Sequence, residues 1–318
     1  MGRGINLGNT FDMTGMQNRS KSSIGRMIHL FWKKGFRNVR IPVTWGDSFN
    51  ESSLLTQGVT EAVKYALDKG FYVVLNTHHE RWLKDAYNNT PYYNDRFAAL
   101  WRGIATHFAN ASCRLVFEIL NEPDGALGSF ASPDAPSPFN ETQINLTRAV
   151  NLVGYEAVRS VSNTRIVFVA PNGQGSNALI STIYPNASYL PGAGSDPYLG
   201  VTVHSYDPWD FCGQDSRNSH FKSLFAMKSS LTERFNTFSD WYYATGVPTH
   251  WGEYGLGRRP QNNSDRDTDM VREYYKFVTN SLALHGWASS VWDDQGWFAI
   301  TNDYSYVYGL ADAVLSTY

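Results

Sequence analysis

The sequence predicts an α/β chain closed into a single (β/α)8 barrel, the TIM-barrel class, on three observations. Eight short β-rich runs alternate with helical patterns along the 318 residues. No second block of different composition interrupts them, and nearly every run ends in a polar or aromatic residue. Such alternation marks parallel strands joined by helical crossovers, and one barrel of eight units commonly takes this length. Residues 1–318 are therefore read as one domain.

The first run, residues 3–9 (RGINLGN), precedes a helical pattern at 22–34. The second, 36–43 (FRNVRIPV), is followed by 59–69, and the third, 71–78 (FYVVLNTH), by 93–108. The fourth run, 115–122 (LVFEILNE), has the near-continuous apolar character of a strand buried on both faces and hands an acidic residue to Pro123. Its helix is 141–160. The fifth run, 165–170 (RIVFVA), precedes a short helix starting near Ser176, and the sixth, 199–206 (LGVTVHSY), precedes 221–243. The seventh, 247–253 (VPTHWGE), has the design of the fourth: an extended run delivers Glu253 to a glycine- and aromatic-rich end, followed by a helix at 267–285. After the eighth, 288–292 (ASSVW), only 308–318 remain, enough for a short or incomplete final helix. The proline- and serine-rich stretch 124–140 falls between the fourth strand and its helix, so it reads as an extended loop over one barrel face rather than a linker.

Composition narrows the partners. The net charge is −2 with no basic run, which argues against nucleic acid and anionic membrane surfaces. No run of about eighteen apolar residues is present, so no membrane span is expected. Aromatic residues make up 15%, with ten Trp and nineteen Tyr, a surplus over core needs that suits a ligand with apolar C–H faces such as a sugar ring. The chain enters strand-like sequence at once, with no signal peptide in view. N-x-S/T sequons at Asn18, Asn50, Asn88, Asn110, Asn140, Asn145, Asn186 and Asn262 fit a secreted eukaryotic glycoprotein whose leader has been removed. A monomer is expected. Cys113 lies just before the fourth run and Cys212 beyond the end of the sixth. A barrel holds those places over ~20 Å apart, beyond the ~7 Å Cα limit for a bridge, so no disulfide is expected.

In this fold the active site lies at the C-terminal strand ends. The side chains there are Asn9, Arg40, His78, Asn121 with Glu122, His204 with Tyr206, Glu253 and Trp292. A lone His or Trp among them is more often a packing residue; their coincidence at one mouth is what points to a site. Two carboxylates on different strands, Glu122 and Glu253, are what glycosidic bond hydrolysis requires. Glu118 shares the parity of Glu122 but sits deeper, so it is read as structural, needing Arg3 or Arg40 as a partner.

RGINLGN, VRIPVTW, THHE, FEILNEP, HSY, GEYG and the Trp292 strand together resemble the signature of glycoside hydrolase family five, the cellulase-type retaining endoglycanases, from Gly4 to about Trp297. The resemblance implies a (β/α)8 barrel, no cofactor, and hydrolysis with retention, Glu122 being the acid/base and Glu253 the nucleophile. Arg40 and Tyr206 would then hold Glu253 as a carboxylate, while apolar surroundings and the charge of Glu253 would keep Glu122 protonated. Asn121 would bind the sugar 2-hydroxyl, His204 would orient Glu122 or the leaving sugar, His78 would bind a hydroxyl, and Trp292 would form the floor. Trp45, Trp82, Trp209 and Trp297 are candidate platforms along the cleft, and His79 and Glu80 remain open to a substrate role. No metal is expected, because no H-E-x-x-H or similar cluster occurs. The expected activity is that of an endo-β-1,4-glucanase on cellulose or mixed-linkage β-glucan. The alternatives are a β-mannanase, a xyloglucanase, a transglycosylase, or a catalytically silent carbohydrate-binding barrel. An aldolase-like barrel would want a phosphate-binding glycine loop, whereas Gly252, Gly255 and Gly257 flank Glu253 and aromatic residues.

Overall fold

The computed structural model describes residues 1–13, 21–46, 54–131, 133–213 and 221–317, and these form a closed barrel of eight parallel strands. The strands are β1 (Arg3–Asn6), β2 (Asn38–Ile41), β3 (Tyr72–Asn76), β4 (Leu115–Glu118), β5 (Ile166–Val169), β6 (Leu199–Ser205), β7 (Thr249–Tyr254) and β8 (Ala288–Val291). Each pairs with its successor and β8 returns to β1, so the barrel has no free edge. All eight expected runs are strands in the expected order.

Seven of the eight expected runs extend past the C-terminal end of their strands; the seventh stops one residue short, at Glu253. Beyond β4 the chain keeps contact with both neighbours through Ile119 N to Phe168 O and Asn121 N to Thr77 O, each 2.9 Å. It then turns at Glu122, whose φ of 41° lies in the left-handed region. Asn9, beyond β1, does the same with φ 52°. A strand cannot propagate through such a residue, so Asn9 and Glu122 lie just outside the sheet, while Arg40, His204 and Glu253 lie within it.

The connecting helices are α1 (Lys21–Lys34), α2 (Leu54–Lys69), α3 (Arg81–Lys84), α4 (Pro91–His107), α5 (Glu141–Arg159), α6 (Asn172–Gly175), α7 (Ile180–Ile183), α8 (Trp209–Cys212), α9 (Leu224–Thr245), α10 (Asp269–Leu284) and α11 (Leu310–Leu315). Local chemistry explains their ends. Ser223 and Thr268 cap α9 and α10 by accepting from the N–H groups of Ala226 and Val271, and Gly246, at φ 66°, closes α9. The final helix is six residues long, as short as expected. The one-turn helix α3 and a hairpin, β9 (Thr301–Asn302) with β10 (Ser305–Tyr306), have no counterpart in the sequence reading. The hairpin turns on Asp303 and Tyr304, both at positive φ, and two-residue strands carry no period to read.

Period two sorts the strand residues between two environments. Ile5, Val39, Ile41, Val73, Leu75, Phe117, Val167, Val169, Val201, Val203 and Val291 join the helices in the main core. The alternate residues meet across the barrel. Val74, Val116 and Phe168 form an apolar cluster near its N-terminal end, His250 stacks on Phe168, and Ser290 bridges His250 to Asn38. One layer higher lie Asn6, Arg40, Asn76 and Glu118, all fully buried.

Cys113 is exposed, Cys212 is buried in α8, and both are free thiols. Asn88, Asn110, Asn140, Asn145, Asn186 and Asn262 are exposed, while the sequons at Asn18 and Asn50 lie outside the described residues. No helix among the described residues is long and apolar enough to cross a membrane.

The helix α5 approaches β4 closely at Gly154, where an added Cβ would lie 2.3 Å from Ile119 Cγ2 and 3.2 Å from Trp101 Cδ1. Ile119 belongs to the segment that leads to Glu122, and its carbonyl accepts the Trp101 indole N–H at 3.0 Å. Gly154→Ala is expected to destabilise the fold by about 1–3 kcal/mol through overpacking, read as a lower urea midpoint at unchanged slope.

Candidate active site

The mouth of the barrel is built on Arg40. Its guanidinium is fully buried and makes five hydrogen bonds: Nε to Glu118 Oε2 (2.8 Å), Nη2 to Glu118 Oε1 (2.6 Å) and Asn121 Oδ1 (2.6 Å), Nη1 to Asn6 Oδ1 (2.9 Å) and Glu253 Oε1 (2.7 Å). A guanidinium has five N–H groups, so every one is used. Burial alone would lower its proton affinity, yet the charges of Glu118 and Glu253 hold it above its ordinary value. Arg40, not Arg3, is thus the partner of Glu118. Arg3 bonds the Ser316 carbonyl and Asn280 instead.

Two carboxylates face each other above this seat. One oxygen from each of Glu122 and Glu253, with a ring nitrogen of His204, lie within 4.8 Å of one another. Glu253 projects from β7, takes Arg40 on Oε1 and accepts the Tyr206 hydroxyl on Oε2 at 2.8 Å. Burial and the two carboxylates raise the Tyr206 phenol well above its usual range, so it stays a donor. His204 Nδ1 lies 3.1 Å from Glu122 Oε1 and 3.8 Å from Glu253 Oε2. A register shift between Val203 and His204 in the β6–β7 ladder sets His204 opposite Glu253.

The proton order in the open site is the reverse of that expected from sequence. Burial pushes Glu253 up, the charge of Glu122 adds to this, and His204, Arg40 and the Tyr206 hydrogen bond only partly offset it. Burial also pushes Glu122 up. There, however, the hydrogen bond and charge of His204, with the charges of Lys84 and Arg40, outweigh it and leave the carboxyl below its ordinary value. The Glu122 side chain keeps 26% of its surface open against 6% for Glu253, an asymmetry the sequence does not show.

Hydrogen bonding fixes which way two further groups face. The amide oxygen of Asn76 accepts Val43 N, so its nitrogen is the donor to Glu118 Oε1 and His78 Nδ1, both at 3.1 Å. Burial holds His78 well below its ordinary value, hence neutral; its Nδ1 faces the Asn76 amide and its Nε2 lies 3.4 Å from the Asn121 amide nitrogen. Asn121 Oδ1 accepts from Arg40, so its amide nitrogen is also a donor. The His78 and Trp292 rings lie parallel at 6.0 Å, the Trp nearly buried.

The remaining sequence candidates scatter. Asn9 reaches the Asp294 carbonyl at 3.5 Å and joins neither carboxylate in the contacts described, while Asn6 occupies the seat beside Arg40. Trp45 is buried with its N–H on the Asn76 carbonyl, and Trp82 is half-buried, stacked near Tyr93 with its N–H on the Gly46 carbonyl. Trp209 is 57% exposed and Trp297 half-buried. Glu80 is fully buried, accepting Trp45 N and the Trp82 indole, whereas His79 is exposed. Parity was the signal that marked Asn6 and Asn76, since each lies in register with an inward neighbour: Asn6 with Arg40 and Asn76 with Glu118.

Among the described residues, two groups bring potential metal ligands together, Asp12 with His78 and His79, and Glu122 with His204 and Glu253. In the first, both ring nitrogens of His78 already face amide groups, Nδ1 that of Asn76 and Nε2 that of Asn121. In the second, a cation would occupy the oxygens that a carboxylate pair needs for acid and nucleophile chemistry.

Comparison with known proteins agrees with this geometry. A family model for cellulase (glycosyl hydrolase family 5) matches residues 5–293. Endoglucanase H of Acetivibrio thermocellus is 28% identical over 95% of this chain, and endoglucanase A of Ruminococcus albus is 26% identical over 98%. The chain spans 30% of the length of the first and 85% of the second. A solved structure of ZgEngAGH5_4 in complex with a cellotriose superposes with a TM-score of 0.84 at 24% identity, covering 99% of this chain and 96% of that one. Thermotoga maritima Cel5A in complex with cellobiose gives 0.80 at 21% identity, covering 99% and 97%.

The Arg40 pair makes Glu118 a reporter of acid stability. Burial raises its carboxyl, but Arg40 more than reverses this and holds it at about 2, below the ordinary 4.5. A carboxyl depressed on folding stabilises the fold above its unfolded value and loses that contribution as pH falls through the folded one. About 3 kcal/mol of unfolding free energy is therefore expected to disappear between roughly pH 5 and pH 2. Denaturant unfolding at successive pH values should show this loss in the native chain and a smaller one in Glu118→Gln.

Proposed function

We infer, from the premise that this chain belongs to glycosyl hydrolase family 5, the cellulases, that it is an endo-acting β-1,4-glucanase working by double displacement with retention. The observation that carries the reading is the Glu122–Glu253 pair, with an oxygen of each within 4.8 Å. Retaining enzymes hold their carboxyl groups about 5–5.5 Å apart, whereas inverting ones leave about 6.5–9.5 Å for a water.

Glu253 is the nucleophile. Arg40 and Tyr206 fix both its oxygens and leave it little room to rotate, which favours a carboxylate aimed at the anomeric carbon. Glu122 is the acid and then the base. In the open site its exposed edge and His204 favour the charged form, but a sugar filling the cleft removes the remaining water and raises its proton affinity. The proton then sits where the leaving oxygen needs it. As the covalent glycosyl-enzyme forms, the charge of Glu253 is consumed, the proton affinity of Glu122 falls again, and the same group draws a proton from the incoming water.

The Asn121 amide and the His78 ring meet hydroxyl groups of the sugar held over Trp292. Among these, a bond from the Asn121 amide to the 2-hydroxyl strengthens as the ring approaches the oxocarbenium-like transition state. The names of the relatives favour β-1,4-glucan. One structural neighbour, Thermotoga maritima Cel5A, is also solved with mannotriose, which keeps β-mannan as the second substrate to test. Residues 1–318 act as one catalytic domain and a monomer. The exposed sequon asparagines support a secreted glycoprotein.

Reducing-sugar release from carboxymethyl cellulose, barley β-glucan, xyloglucan and galactomannan tests the reading. Activity on the β-1,4-glucans is expected, and Glu253→Gln should lose it by several powers of ten. Glu122→Ala should lose polymer hydrolysis yet keep much of its kcat/KM on 2,4-dinitrophenyl β-cellobioside, whose leaving group needs no proton, while kcat falls because the glycosyl-enzyme then meets water without a base. Proton NMR of the first-formed product should show the β-anomer. An α-anomer, or silence on the whole panel, would overturn the mechanism.

A further inference from the structure

Behind Glu122 lies a cation that this mechanism does not use. The helix α3 follows β3 and His78, and carries Arg81 and Lys84. Both reach Asp124, two residues after Glu122: Arg81 Nη2 donates to Asp124 Oδ1, and Lys84 Nζ lies 3.9 Å from the same oxygen. The Lys84 residue is 1% exposed, an unusual state for a lysine. The Glu122 loop is seated directly on it, for an added Cβ on Gly125 would lie 2.7 Å from the Lys84 carbonyl oxygen. Glu122 itself holds a left-handed backbone, a conformation that is strained for a non-glycine residue and persists only when its surroundings enforce it.

We propose that Lys84 is a positioning residue for Glu122, its buried ammonium anchored on Asp124 to hold the strained turn in place and to supply positive charge behind the carboxylate. The name acid/base for Glu122 rests on the hydrolase reading; the placement of Lys84 does not. The charged and titratable groups acting on Glu122 are His204 on β6, Lys84 on α3, Arg40 on β2, Glu253 on β7, and Tyr206 and His79 in the adjoining loops. Those acting on Lys84 are Asp124, Arg81, Glu122 and Glu80. Burial lowers Lys84, and Asp124 foremost opposes that. The positive charge favours the carboxylate that forms as Glu122 gives up its proton, and again while it waits to accept one from water.

The test is a direct titration of Glu122 by NMR of protein carrying 13C-carboxyl glutamate, in a Glu253→Gln background so that one member of the pair titrates. The signal is assigned by its loss in Glu122→Gln. Lys84→Met is expected to move the Glu122 midpoint up by roughly 0.5–1 pH unit, Lys84→Arg to leave it in place, and Asp124→Asn, which releases two cations, to move it down. If Lys84→Met does not fold, the Arg and Asn variants carry the test. A Lys84→Met or Asp124→Asn titration that coincides with the parent, a Lys84→Arg titration that moves as far as Lys84→Met is expected to, or shifts of one sign in Lys84→Met and Asp124→Asn, overturn the proposal. In the otherwise native chain, Lys84→Met should lower kcat on cellotetraose more than on 2,4-dinitrophenyl β-cellobioside, and equal losses would reduce Lys84 to a structural part. A native chain silent on every polysaccharide would refute the hydrolase reading while leaving the titration result standing.

Discussion

A guanidinium enclosed in a barrel must find a partner for every N–H, and Arg40 finds them in four residues from three other strands and one loop. That requirement organises the mouth of the molecule. Glu118 meets it from β4 with two bonds, Glu253 from β7, Asn6 from β1, and Asn121 from the turn beyond β4. Moving any one of these strands by an ångström would leave a buried donor or carboxylate unpaired, a loss of several kcal/mol. The network is therefore a register device as well as an electrostatic one. It ties the relative heights of β1, β2, β4 and β7 to the positions of two reacting carboxyl groups.

The backbone was legible because a parallel barrel leaves a strong trace in sequence. Runs such as FYVVLNTH and RIVFVA are apolar on both faces, and polar residues closing successive runs gave the mouth its address. Arg40, His78, Asn121, Glu122, His204, Tyr206, Glu253 and Trp292 all gather there. Asn9 was chosen over Asn6 because reading a strand to its apparent end overlooks the left-handed residue that turns the chain away. Asn76 escaped notice as one more polar residue near a strand end, although it is what orients His78. The four outer tryptophans show the limit of composition: indole content predicts a surplus but not which ring is covered. Trp45 lies buried and Trp209 open, and nothing in their local sequence separates them.

The proton order was the least legible property, for a physical reason. Sequence identifies which groups are acids, but the affinity of each depends on residual water and on charges brought in from other elements. His204 and Lys84 are remote from Glu122 in sequence, and both act on it. A resting state with Glu122 charged is compatible with the acid role proposed for it, because that role would be exercised only in a filled cleft. On that reading the substrate itself, by displacing water from the more exposed carboxyl, would complete the asymmetry that the empty site lacks.

Glu118 has a further consequence, visible when the formal charges joined at Arg40 are counted together. Without it, the positive charge of Arg40 would cancel that of Glu253, and a sugar would meet a neutral pocket. With Glu118 beneath, Arg40 is already balanced, and the charge of Glu253 remains in excess once Glu122 holds its proton. A pocket with one surplus negative charge is poorly matched to a neutral glucan chain and well matched to a ring acquiring positive charge at its anomeric carbon. On the proposed hydrolase reading, an acid buried beneath the pair thereby tilts the barrel toward the transition state.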